Sequence, residues 1–386
     1  MRGFAIAMAL AIAWASDAPG AFAQTAPAAD PVIAAYKDYK SAEQRGDDAV
    51  ADAALVRALA LSQARDGDGG STAILAMDLA TLRMETDHKA DALVPAKRAL
   101  ALARAGAKGV DELSARLMVG EAELAVQPRS DDADLVAALH DADSRGADID
   151  DDAYPAAVAL ASAASQTGRW ANAESAWKSA ERHIHGAPGD PDRALAAAYR
   201  GEGLTLIGAG KDAEANEVLA KALVLLTPLT PESADAAEVT TAELDLANIM
   251  AWRAVVRARQ FSEAPNADPR RRGAPDADAD PPGLPGRPPL CRGTVAAKPL
   301  PTFPNDMLQM WSVGAGVVRL QTDDAGAVTR AVVLAAVPGD EFQRSLMDPT
   351  VHWDFTPAAH QTPGCRLASA DRLVVVVFRI GGNGPN

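Results

Sequence analysis

His183 and His185 are the pairing in this sequence closest to a metal site, because neutral imidazole is a ready zinc ligand. Residues two apart on a helix do not face one another, and no cysteine or third histidine lies near them. A structural or solvent role is therefore the expectation. Asp66-Gly67-Asp68-Gly69-Gly70 has the outline of a calcium loop, whose carboxylates alternate through a tight turn. It lacks a third acidic ligand, and Met77 stands where the bidentate glutamate belongs, so it reads as an inter-helix loop. The acidic run Asp148, Asp150, Asp151 and Asp152 could attract a cation, and reads instead as a solvated helix start. His352 and His360 flank Trp353; an acid–base pair there would need a cleft and a nucleophile, and no nucleophile accompanies them. Gly-x-Ser-x-Gly, a phosphate-binding glycine loop and His-Glu-x-x-His are all absent. The expectation is a non-enzymatic protein with no cofactor and no metal.

The elements around these residues begin with a leader. Arg2 precedes an apolar run over residues 3–15, and the small-residue site Ala21-Phe22-Ala23 follows, which reads as a secretory signal peptide over 1–23 with cleavage before Gln24. The run is shorter than the roughly 18 to 20 residues a bilayer span needs. Asp17, Pro19 and Gly20 block its extension. An exported periplasmic protein with no integral membrane span is expected, with an inner-membrane-anchored form as the alternative if the leader is retained. Some 360 residues remain, about two or three domains by size. The net charge of −15 argues against binding nucleic acid or an anionic membrane by charge alone. Only two cysteines occur, Cys291 and Cys365, and in an oxidising compartment such a pair is expected to be a disulfide.

From residue 31 to 260 the chain is rich in Ala and Leu, with apolar residues recurring every three or four positions, which is helix periodicity. A second period lies over the first. After Gly168 come Ala173, Trp177 and Ala180; after Gly210 come Ala215, Leu219 and Ala222; after Gly46 come Ala51, Leu55 and Ala58. Asp87 with Ala92, Ala96 and Ala99 fits more weakly, and Pro128 with Ala133, Ala137 and His140 fits least. These anchors are spaced 41, 41, 40 and 42 residues apart. The pattern resembles tetratricopeptide (TPR) repeats of a longer kind, about 42 residues each. Two small residues let the helices of a hairpin approach and the large one between them fills the gap, so five stacked hairpins would share one core. A last helix over 231–260 would cap the stack. Trp170 and Trp177 are expected in the core; Trp252, on the capping helix, either packs there or anchors a peptide.

Residues 261–297 turn to Pro, Asp, Gly and Ala, a composition that reads as an extended linker between two independent domains. Beyond it the period becomes alternating. Residues 316–322 read as a strand, with Val318 and Leu320 on one face and Arg319 and Gln321 on the other. Asp323-Asp324-Ala325-Gly326 reads as a turn, 327–336 as the hairpin partner, 340–347 as a short helix and 373–380 as a last strand.

Pro301-Thr302-Phe303-Pro304, the run around Gly316, Trp353-Asp354-Phe355-Thr356-Pro357-Ala358 and the closing apolar strand occur in an order that resembles the TonB C-terminal domain family. Phe303 replaces the family's tyrosine. The resemblance covers residues 298–381 and implies a fold class of two parts: an all-α TPR-like superhelical domain, then a small α+β domain of strand, strand, helix and strand. It also implies that an extended peptide from an envelope protein, outer-membrane receptors among them, adds as a strand at Leu373, Val374, Val375, Val376, Val377 and Phe378. Those residues are apolar on both faces, with Arg372 and Arg379 as gatekeepers, so a buried strand within a small sheet is the equal alternative. Two functions follow: a periplasmic interaction protein with a binding surface on each part, or a TonB-type energy transducer for outer-membrane transport if the leader stays as an anchor.

Overall fold

The computed structural model describes residues 30–86, 88–130, 132–227, 239–263, 290–348, 351–361 and 363–379. The leader, Asp87, the start of the predicted cap helix and most of the predicted linker lie outside them. Among the described residues eleven α-helices come first: α1 (Pro31–Arg45), α2 (Asp48–Asp66), α3 (Gly70–Glu85), α4 (Leu93–Arg104), α5 (Glu112–Val126), α6 (Ala133–Arg145), α7 (Asp150–Gln166), α8 (Trp170–Arg182), α9 (Pro191–Gly208), α10 (Asp212–Leu226) and α11 (Thr241–Glu263). They are followed by β1 (Gly293–Lys298), β2 (Val313–Thr322), β3 (Val328–Val337), α12 (Asp340–Leu346), β4 (His352–Pro357) and β5 (Ser369–Arg379). Among the described residues no helix is long and apolar enough to cross a membrane.

The chain separates into two compact units. The first runs to Ala163 and includes 185–189; the second holds Ala164–Ile184 and everything from Asp190 onward. In the first unit each helix from α1 to α6 packs on the next in sequence. In the second, α8 to α11 do the same. Aspartates begin several of these helices, because a carboxylate satisfies backbone N–H groups that have no partner within the helix. Asp30 accepts from Val32 N at 2.9 Å, and Asp190 from Asp192 N at 2.9 Å, with Pro191 at the first helical position. Asp150, Asp151 and Asp152 occupy the first turn of α7, the helix start read from the sequence.

The repeat frame holds at four of its five places, the weaker one after Asp87 included, where Ala92, Ala96 and Ala99 are buried. Gly46, Gly168 and Gly210 all adopt a left-handed conformation (φ 69, 74 and 75°), which a residue without Cβ reaches at no steric cost. Each precedes a helix whose first, fourth, fifth and eighth frame positions are buried: Ala51, Ala54, Leu55 and Ala58; Ala173, Ala176, Trp177 and Ala180; Ala215, Val218, Leu219 and Ala222. The third repeat corrects the sequence reading. Ala133, Ala137 and His140 face solvent, and Leu135, Ala138, Leu139 and Ala142 carry the buried stripe two residues further on. In the second unit the alternation of small and large is literal: a Cβ on Gly201 of α9 would lie 2.2 Å from the Trp177 ring of α8.

The strands form two sheets. Strands β3, β2 and β5 lie antiparallel in that order, and β1 pairs with β4 in a separate ribbon. The three-stranded sheet is a middle layer. On one face Val313, Ala315, Val317, Ala335, Val337, Leu373 and Val375 meet Leu246, Ile249, Met250 and Val256 of α11. On the other, Val318, Leu320, Val374, Val376 and Phe378 meet Phe342 and Leu346 of α12, with Val295 of β1 and Trp353 of β4 at the margin. Strand β2 can be covered so closely because it carries glycines there. A Cβ on Gly314 or Gly316 would lie 2.2 Å from Phe342 or Leu346.

Three readings change in consequence. The strand, strand, helix, strand order is present, but β1 and β4 add a ribbon to it, and the Trp353 motif is itself a strand. Described structure enters the predicted linker at both ends, since α11 runs to Glu263 and β1 begins at Gly293. The last helix and the sheet share one core instead of belonging to independent domains. On the face away from Val318 and Leu320, Arg319 is 1 % exposed beneath α11.

Candidate partner-binding site

Strand β5 combines covered faces with an open edge. Leu373 and Val375 turn to α11, Val374 and Val376 to α12, and Phe378 is buried with its ring 5.2 Å from that of Phe342. Only Val377 of the six predicted contact residues is exposed, at 40 %. Pairing with β2 uses one side of the strand, and among the described residues nothing pairs with the other. The faces are therefore occupied by this chain, and the outer backbone row is what remains for a partner.

The opposite edge of the sheet is built differently. Strand β3 carries two register shifts against β2, one at Val317/Val318 and one at Gln321/Thr322. An extra residue sits on β3 at each, and such bulges twist an edge away from regular pairing. Strand β5 is regular from Arg372 to Arg379, eight consecutive pairs with β2. Of the two edges, β5 is the regular one.

Of the resemblance motif residues, Phe303 and Trp353 pack into the α12 face of the sheet. Phe303 sets its ring edge-on to Phe342 at 5.1 Å, and Pro304 leads into a 3-10 turn at Asn305–Met307. Trp353 sits opposite Ala297 in the β1/β4 ribbon, and Phe355 opposite Val295. Phe355 is buried under the Arg372 guanidinium, 4.0 Å from its ring centroid, while Pro357 closes against Gly326. Arg372 is thus no solvent-facing gatekeeper; it also donates from Nη1 to Cys291 O at 3.1 Å. Arg379 is exposed. Cys291 and Cys365 are bonded, joining the lead-in of β1 to that of β5.

The contacts that hold α11 to the sheet escaped the sequence. Arg319 Nη1 donates to both carboxylate oxygens of Glu243, at 3.0 and 2.9 Å, with both side chains buried. Trp252 meets Trp311 edge to face at 6.2 Å, and Arg259 lies over the same Trp311 ring at 5.7 Å. Trp252 therefore packs, and its aromatic partner comes from this chain. An arginine in the middle of an otherwise apolar strand was the one available signal, and it lacked a partner within reach in sequence.

The other chemistry-bearing groups are not gathered. His183 is buried just past the end of α8 and His185 is exposed in the following turn. Asp66 ends α2, held below the usual carboxylate range by the hydrogen bond from Arg65, and Asp68 is bound by Arg98 at 2.8 Å. Asp152 is pushed up by burial at the start of α7. His352 and His360 are both exposed.

No protein-family model matches the sequence, and no curated protein matches it. Among solved structures, the crystal structure of MamA protein aligns over 51 % of this chain and 92 % of its own, at 19 % identity and a TM-score of 0.37. A tetratricopeptide repeat protein from Parabacteroides merdae ATCC 43184 aligns over 60 % and 88 %, at 14 % identity and a TM-score of 0.25. Both superpositions are loose.

Proposed function

We propose that this chain is a non-catalytic protein-binding protein of the cell envelope, in which TPR-like helical hairpins and a TonB C-terminal-like sheet each offer a surface to a protein partner. The observation that carries it is β5, a regular strand covered on both faces and unpaired along its outer edge among the described residues. Strand addition there draws affinity from main-chain hydrogen bonds and selectivity from alternate side chains. The TPR-like reading is supported by the recurrent buried stripes, and the TonB-like reading by the placement of Phe303, Trp353 and Phe355 around the sheet.

In an antiparallel strand, neighbouring residues direct their N–H groups to opposite sides, so one of Val375 and Val376 points outward. Proline at that outward position removes a donor without breaking the β2–β5 ladder. It is expected to weaken binding of extended peptides from outer-membrane receptors about tenfold, by titration calorimetry on the full chain. Unchanged affinity in that variant sinks the strand-addition reading.

The energy-transducer reading stays tied to the leader, because the apolar run at 3–15 is the segment that would serve as its anchor. Mass spectrometry of the protein isolated from cells separates the two. A chain beginning at Gln24 is expected; a chain retaining Met1 in the membrane fraction favours the transducer.

A further inference from the structure

Helices α8, α9 and α10 enclose a carboxylate that the binding proposal does not use. Glu202 of α9 is 5 % exposed and faces Glu181 of α8 within hydrogen-bonding reach. Oε1 of Glu181 is sealed from solvent and meets no hydrogen-bond partner among the described residues. Ionised carboxylates only accept, so two of them facing each other in a buried place repel and leave lone pairs unanswered. A single proton between them turns one into a donor. The charged neighbours have other partners, and the Tyr199 hydroxyl of α9 is itself held protonated, by burial first and then by the charges of Glu181 and Glu202. From α8, Lys178 is engaged by Glu174 at 2.6 Å. From α10, Lys221 lies over the ring of Tyr199, 5.4 Å from its centroid. From α11, Asp245 is bound by Arg193 and Arg200.

We propose that the buried Glu202 carboxyl keeps its proton and donates it to Glu181, a pH-sensitive clasp between α8 and α9 that is closed in acid and released toward neutral and alkaline pH. Burial first, then the hydrogen bond and charge of Glu181, raise Glu202 from 4.5 to about 7, against the pull of Lys178 and Lys221. A carboxyl whose folded pKa is raised stabilises most below its unfolded value, so the contribution is complete below pH 4.5 and gone above about 7. The clasp adjoins the packing of α8. Trp177 Nε1 donates to Thr205 Oγ1 at 3.1 Å, and Ser165 shares that hydroxyl at 2.8 Å.

Melting curves alone do not test this, because burial also raises Glu121 of α5 to about 7. Hydrogen exchange of α8 and α9 amides in the full chain, corrected for intrinsic rates, reads the clasp locally. The opening constant is expected to rise about tenfold per pH unit from 5 to 7 and then level off. In Glu202→Gln, which is neutral at every pH, the slope is expected to vanish. Carbon-detected titration of the wild-type Glu202 carboxyl gives a readout that needs no variant, and Glu181→Gln is expected to lower its midpoint. A Glu202 midpoint near its ordinary value, or an unchanged exchange slope in Glu202→Gln, overturns the proposal.

Discussion

Alanine at Glu243 or at Arg319 is expected to destabilise the second unit by about 3 to 5 kcal/mol, because either change leaves the other charge buried without its counter-ion. The pair lies between α11 and the central strand, with side chains 7 % and 2 % exposed, so water cannot replace the lost partner. The double variant Glu243→Leu with Arg319→Met is expected to behave differently. Desolvating two ions costs about as much as their attraction returns, so two apolar side chains of similar volume should be neutral or stabilising, by up to about 4 kcal/mol. Chemical denaturation of all three variants decides it. Single substitutions that cost under about 1 kcal/mol would mean that water reaches the pair, as at surface bridges.

Opening the Cys291–Cys365 bond is the second large effect. The bond closes a separation of 74 residues, and freeing such a loop in the unfolded chain removes about 4 kcal/mol of stability in the chain-entropy model. The loss is expected to reach α11 as well as the strands. Leu246, Ile249 and Met250 share a core with β2 and β3, so a loosened sheet uncovers the helix. Helices α1 to α3 have their own core, built on Val32, Tyr39, Leu55 and Leu79, and their unfolding should not move. Hydrogen exchange before and after mild reduction separates these outcomes; equal change in α1 to α3 and α11 would refute the assignment.

The helical half was legible wherever a turn glycine fixed the start of a repeat. Gly46, Gly168 and Gly210 each set the phase of the helix that follows, and their frame residues are buried. Before α6 the buried stripe starts two residues later than in the other repeats, so a constant spacing fell on Ala133 instead of Leu135. In the sheet, alternation revealed two faces without revealing what covers them. Arg319 was assigned only to the face opposite Val318 and Leu320, and its partner Glu243 lies 76 residues earlier. Strand β1 was hidden in composition: Gly293-Thr294-Val295-Ala296-Ala297 follows a Pro-rich stretch and carries little apolar signal of its own, and it is a strand because β4 pairs with it.

The middle position of β2 also orders the chain in time. Emerging from its N-terminus, the protein completes α11 some fifty residues before β2 exists, and β2 gains its second neighbour only with β5, whose last described residue is Arg379. Through that interval the stripe of Leu246, Ile249, Met250 and Val256 has no lasting cover, which is the condition under which nascent chains associate wrongly or recruit holding chaperones. The last strand to be made is therefore the one that ends the exposure, and a ribosome stalled or a chain cut before residue 369 would release a helix array with a sticky end.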